Sequence, residues 1–151
     1  MEFRLFQRTD AEEISALIRR SIKERDNSEY TLEQIDSLAD YYTPDNFCLD
    51  RDKKMIYVCV DGSRTVGTAT LRDDEVMAVF ILPEYQRKGI GTRLMNMLEN
   101  DAVRGGLYKV WLVAVLPAVD FYEKHGYSFV REKIHPSWGK GIVMEKTLRI
   151  K

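Results

Sequence analysis

The stretch Val76 to Leu82, seven residues without a polar side chain, runs directly into Pro83-Glu84-Tyr85-Gln86-Arg87-Lys88-Gly89-Ile90-Gly91. Helical spacing then begins at once with Ile90, Leu94, Met97, Leu98 and Ala102. A strand that is apolar on both faces belongs in the middle of a sheet. Strict alternation turns Val76, Ala78 and Phe80 one way and Met77, Val79 and Ile81 the other. Gly105-Gly106 stops the helix before a second apolar strand, Val110 to Val115, which completes a strand–helix–strand crossover.

The flanking sequence fits around that unit. Phe3 and Leu5 alternate as a first strand, and Thr9 or Asp10 ahead of Glu12-Glu13 starts a helix with Ile14, Leu17, Ile18 and Ile22 on its apolar face. Thr31 with Gln34 makes a capping box for a second helix carrying Leu32, Ile35, Leu38, Ala39 and Tyr42, which Pro44 closes. Met55 to Val60 and Val66 to Leu71 read as a hairpin about Asp61-Gly62, and Asp73-Asp74 turns the chain into the central strand. Pro117 opens a short helix bearing Phe121 and Tyr122, Gly126 ends it, and Tyr127 to Ile134 and Ile142 to Leu148 close the chain as strands. The order βααβββαβαββ is an α/β fold with a mixed, mostly antiparallel sheet flanked by helices.

Composition narrows the function classes. One domain over residues 1–151 is expected at this length, with a 44% hydrophobic and 31% charged chain of formal net charge -1. No overall positive field recruits nucleic acid or an anionic membrane. The start Met1-Glu2-Phe3-Arg4 shows no leader and no apolar run spans a bilayer, so a cytoplasmic protein is expected. Cys48 and Cys59 lack metal-ligand spacing and there are two histidines, so no metal is expected; Cys59 reads as a buried thiol.

The glycine-containing loop carries the chemistry. At a helix start several backbone N–H groups lack acceptors and the helix dipole favours an anion. Glycine at 89 and 91 lets a diphosphate approach the backbone, and Arg87 and Lys88 add positive charge. Leu94 stands where a dinucleotide fingerprint needs its third glycine, and no Walker loop occurs, which weakens NAD and ATP readings.

Ile81-Leu82-Pro83, Gln86-Arg87-Lys88-Gly89-Ile90-Gly91 and Ala118-Val119-Asp120-Phe121-Tyr122-Glu123-Lys124-His125-Gly126-Tyr127 together resemble the GNAT N-acetyltransferase superfamily. The resemblance is dense from Glu75 to Phe129 and extends by element order over nearly the whole chain. It implies acetyl-CoA as co-substrate, with Gln86, Arg87, Lys88, Gly89, Ile90, Gly91 and Thr92 about the pyrophosphate and Val79, Phe80 and Ile81 pairing with pantetheine along a bulged strand splayed from its neighbour. It implies Tyr122 as the acid toward the departing thiolate, and Glu75 is the preferred base. Tyr30, Glu33, His135 and Trp138 are candidates for the acceptor side, His125 for a structural role at the helix end. Many members carry an Asn where this chain has Val115.

The reaction implied is acetyl transfer to a primary amine by direct attack, since no nucleophile setting surrounds either cysteine. The acceptor is a small-molecule or peptide amine, and a homodimer is among the compatible assemblies. The competing reading is a catalytically silent acyl-CoA-binding module.

Overall fold

The computed structural model describes residues 1–149 and consists of one seven-stranded sheet with helices on both faces. The strands are β1 (Glu2–Leu5), β2 (Lys54–Asp61), β3 (Arg64–Arg72), β4 (Glu75–Ile81), β5 (Lys109–Val115), β6 (Ser128–His135) and β7 (Gly139–Thr147). The helices are α1 (Ala11–Glu24), α2 (Leu32–Tyr41), α3 (Pro44–Cys48), α4 (Ile90–Arg104) and α5 (Val119–Lys124). Spatial order is β1-β2-β3-β4-β5-β7-β6, so β4 is central, and every neighbouring pair is antiparallel except β4 and β5.

The central strand departs from simple alternation. Thr68 pairs with Phe80 and Thr70 with Met77, so three steps on β4 match two on β3. The extra residue sits at Ala78, whose φ of 52° is left-handed. Residues paired across a ladder share a face, so the bulge puts Met77 and Phe80 together with Thr68 and Thr70, and Val76 and Ile81 together with Leu71 and Gly67. The expected sets Val76/Ala78/Phe80 and Met77/Val79/Ile81 are therefore wrong: no glycine or proline marks the bulge. Leu82 also falls outside the strand, donating its N–H to Val66 O at 2.9 Å.

Helix α4 covers the Val76/Ile81 face. A Cβ on Gly67 would stand 2.8 Å from Ile81 Cδ1 and 3.2 Å from Ile90 Cγ2, so a side chain there would push the crossover helix off the sheet. The buried stripe of α4 is Ile90, Leu94, Met95, Leu98, Glu99 and Ala102. Met95 replaces the expected Met97, which is only half-buried, and the stripe includes a carboxylate that a hydrophobic pattern cannot predict.

The opposite face is covered by α1 and α2. Thr31 and Gln34 form the expected capping box, with Gln34 N–H to Thr31 Oγ1 at 3.1 Å and Thr31 N–H to Gln34 Oε1 at 3.0 Å. Asp10 immediately precedes α1, but its carboxylate accepts from Arg4 at 2.8 and 2.9 Å and from the Gln7 N–H at 2.7 Å instead of capping the helix. Pro44 corrects another boundary: α2 ends at Tyr41, and Thr43 caps a further single turn, α3, in which Pro44 is the first residue. The last strand starts at Gly139, three residues before the apolar run that predicted it, and Cys59 is buried as expected.

Candidate active site

The loop between β4 and α4 is pinned at both ends and open in between. Gln86 donates its N–H to Pro83 O at 3.3 Å and its Nε2 to Ile81 O at 3.2 Å. The next backbone amide to find an acceptor is that of Arg93, on Gly89 O at 3.1 Å. Among the described residues the amides of 87–92 have no hydrogen-bond acceptor in the chain. Gly89, at φ 82°, caps α4 in the left-handed region, where a Cβ is costly. Arg87 is also left-handed, at φ 64°, which for a side chain without a short local hydrogen bond costs roughly 1 kcal/mol. Besides two aspartates, Ala78 and Arg87 are the non-glycine residues with positive φ among the described residues, and they lie on the central strand and on the loop that follows it.

Side chains fix the loop from below. Glu84 is held by Arg20 of α1 at 3.0 Å and Arg64 of β3 at 3.2 Å; a hydrogen bond from its own amide and these two guanidinium groups bring its carboxyl down to about 2. Tyr85 donates to Asp61 Oδ2 at 2.6 Å, and Lys88 Nζ rests 5.2 Å from the Tyr85 ring centroid. A Cβ on Gly91 would approach Phe121 Cζ to 3.1 Å, which seats α5 against the first turn of α4.

A cleft opens beside the same loop. β4 and β5 pair at one position, Glu75 with Trp111, and then diverge. Residues 77–81 are consequently only half-buried although they occupy the centre of the sheet. Glu75, at the closed end, shares the Met77/Phe80 face; burial raises its carboxyl above the usual range, with Lys133 opposing and Asp74 adding to the shift. Tyr42, at the end of α2, packs edge-on to Phe80 with ring centroids 5.5 Å apart, and its phenol is raised by burial while within electrostatic reach of Arg25 and Glu75.

Tyr122 is buried, 8% exposed, between Phe121 and Tyr127, at centroid distances of 5.2 and 5.8 Å. Burial raises its phenol and Tyr42 adds to that shift, while its hydroxyl has no hydrogen-bond partner among the described residues. The phenol therefore keeps its proton at neutral pH. His125 stacks near Phe121 and Tyr127, and its Nε2 lies 3.1 Å from Glu99 Oε2, so the imidazole faces a carboxylate and not the last carbonyls of α5.

The four acceptor-side candidates separate. Tyr30 accepts from the Leu116 N–H at 3.0 Å and donates to Lys140 O at 2.6 Å, bolting the ends of β5 and β7. Trp138 stacks on His135 at 5.1 Å, and a Cβ on Gly141 would come to 2.9 Å from its Cη2 and 2.8 Å from Val113 Cγ1, so the indole lies over the β5–β7 floor. Glu33 lies with Asp36, Ser37 and Asp40 on the stripe of α2 opposite the inward residues Ile35, Leu38, Ala39 and Tyr42. Val115 pairs with Gly141 at the open end of β5. Arg25 and Lys133 were missed; they occur far apart in sequence and carry no spacing signal. Among the described residues no group of three or more His, Cys, Asp or Glu side chains could hold a metal, and no helix is long and apolar enough to cross a membrane.

Comparison with known proteins places this geometry. An uncharacterised N-acetyltransferase, YjcF, of Bacillus subtilis (strain 168) is 34% identical over 80 residues, which take in 50% of this chain and 57% of that protein. The chain thus matches little over half the length of that curated relative. A GCN5-related N-acetyltransferase structure from Rhodopseudomonas palustris superposes with a TM-score of 0.91 at 23% identity, covering 97% of this chain and 95% of that one. The PaiA N-acetyltransferase of Thermoplasma acidophilum, solved in complex with coenzyme A, superposes with a TM-score of 0.81 at 22% identity, over 97% and 98% of the two chains. The pattern that describes the acetyltransferase (GNAT) family matches residues 17–127, from the middle of α1 through the turn after α5, and this chain belongs to that family.

Proposed function

We propose that the protein is an acetyl-CoA-dependent N-acetyltransferase that moves the acetyl group to a primary amine by direct attack. The observation that carries the reading is the run of amides 87–92, free of acceptors at the start of a fifteen-residue helix and beside a central strand that leaves one edge unpaired. Such a run suits a diphosphate through hydrogen bonds and the helix dipole. Arg87, Lys88, Gly89, Ile90, Gly91 and Thr92 would hold the pyrophosphate of acetyl-CoA, with Gln86 fixing the loop. Val79, Phe80 and Ile81 would supply strand-like hydrogen bonds to pantetheine, and their amides would polarise the thioester oxygen. The PaiA structure holds coenzyme A on the same fold, which supports the donor.

The chemistry needs one proton removed and one supplied. Glu75 takes the proton of the amine, directly or through water, and its raised pKa brings it toward the strength a base needs near neutrality. As the N–C bond forms and the C–S bond breaks, Tyr122 gives its proton to the thiolate and regains one from solvent, to which Glu75 releases the proton of the amine. The bond changes balance without a covalent enzyme intermediate. Thiol release with acetyl-CoA across an amine library tests the reading. Release that depends on amine concentration is expected; coenzyme binding without release would mark a binding module instead, and absence of binding would remove the donor site.

A further inference from the structure

Arg25 stands apart from the arginines that hold the surface of the protein together. Arg4, Arg19, Arg20, Arg64, Arg72 and Arg104 each contact a carboxylate within 4.0 Å. Arg25, half-buried just past the end of α1, has none among the described residues: its one side-chain hydrogen bond is from Nε to Asn27 Oδ1 at 3.3 Å. Its neighbours are the phenols of Tyr30 and Tyr42, and burial lowers its pKa. A guanidinium drawn from water without a counter-charge is an unfavourable arrangement that an oxyanion would relieve.

The end of α1 carries that charge to the cleft: Ser21, one turn before Arg25, donates its Oγ–H to Ile81 O of β4 at 3.4 Å, and its carbonyl accepts the Arg25 N–H at 3.2 Å. Tyr30 is fixed over the ends of β5 and β7 by Leu116 and Lys140, and Tyr42 packs on Phe80 of β4. Tyr42 is within electrostatic reach of both Arg25 and Glu75, and Lys133 of β6 adds positive charge near Glu75. The acidic residues Glu33, Asp36 and Asp40 lie on the far side of α2 and do not neutralise this wall. We propose that Arg25 forms an anion subsite of the acceptor cleft, so that the acceptor is an amine that also carries an oxyanion, a carboxylate in the first instance. This rests on the acetyltransfer reading and sharpens it: a polyamine would set a second cation against Arg25, whereas an amino acid or a peptide end would set its amine toward Glu75 and its carboxylate toward the guanidinium.

The test is steady-state kinetics on matched acceptors: phenylalanine against phenethylamine, lysine against cadaverine, glycylglycine against its amide, and O-phosphoethanolamine against ethanolamine. An acid should exceed its uncharged or decarboxylated partner by about tenfold or more in kcat/KM, the effect of one charge-assisted hydrogen bond. In Arg25→Gln that preference should collapse toward one through a higher KM for the acid, with the KM for acetyl-CoA held within about twofold. Arg25→Lys, which keeps the charge but not the planar fork, should restore part of it. A preference confined to the phosphate pair would assign the oxyanion as phosphate. The subsite is overturned if no acid outperforms its partner, whether both react or neither does, or if the preference survives in Arg25→Gln. Turnover of uncharged amines alone would leave the acetyltransfer reading intact, and failure of acetyl-CoA to bind would sink both.

Discussion

Glu99 of α4 and Lys146 of β7 meet at 2.7 Å between carboxylate Oε1 and ammonium Nζ, and Glu99 is only 7% exposed. The other carboxylate oxygen accepts from Tyr127 at 2.9 Å and lies 3.1 Å from His125 Nε2. Three elements therefore converge on one buried charge: the helix behind the open amides, the turn that follows Tyr122, and the strand beside β5. Burial pushes the Glu99 carboxyl up, but the adjacent His125 imidazole and hydrogen bonds from Lys146 and Tyr127 outweigh it and leave the group lowered.

Glu99→Gln should cost about 2–3 kcal/mol, because it leaves a partly buried ammonium and a buried imidazole facing a neutral amide. Urea unfolding at neutral pH measures it. The contribution of Glu99 is fully present above the carboxyl's unfolded pKa, about 4.3, and is lost as pH falls through the lower folded value. The slope of stability against pH below about 4 should accordingly be shallower in the variant.

Tyr122→Phe should lower kcat by roughly 10²-fold, the contribution of one positioned proton donor, while the KM for acetyl-CoA changes little. The ring packing with Phe121 and Tyr127 survives the substitution, so an unchanged kcat would assign Tyr122 to packing alone.

Glu75→Gln should lower kcat/KM by about 10²-fold and remove an acidic limb from its pH profile. Because burial raises the carboxyl, wild-type activity should rise with pH through a midpoint above the ordinary glutamate value of about 4.3. An unchanged limb in the variant would assign the titration to another group.

Gly89→Ala puts a Cβ on a residue at φ 82°, with no neighbour within 4 Å to clash. Its cost is backbone strain of about 1–2 kcal/mol. Any relaxation of that strain turns the amides at the start of α4, so coenzyme A affinity, read by calorimetry, should weaken by roughly tenfold.

The β4–loop–α4 unit was legible because each part obeys a local rule: an apolar run, a proline, glycines, then a helical stripe. The Thr31–Gln34 cap and the Asp61-Gly62 hairpin were legible for the same reason. What escaped is non-local. Ala78 adopts a left-handed conformation that alanine does not advertise, and the resulting change of side inside β4 is visible only through its pairing with β3. Glu99 sits within an apolar stripe because Lys146, Tyr127 and His125 reach it, and Tyr42 packs on Phe80 of the central strand from the end of α2, a contact no spacing announces.

The single rung between Glu75 and Trp111 divides the sheet into a four-strand plate and a three-strand plate fastened at one corner. A molecule hydrogen-bonded along the gap would act as a splint, sharing load between plates that otherwise communicate through α4, Tyr30 and that corner. Backbone amides of β4 and β5 should then exchange with solvent more slowly and more nearly in step when the gap is spanned, so that cargo and framework stabilise one another.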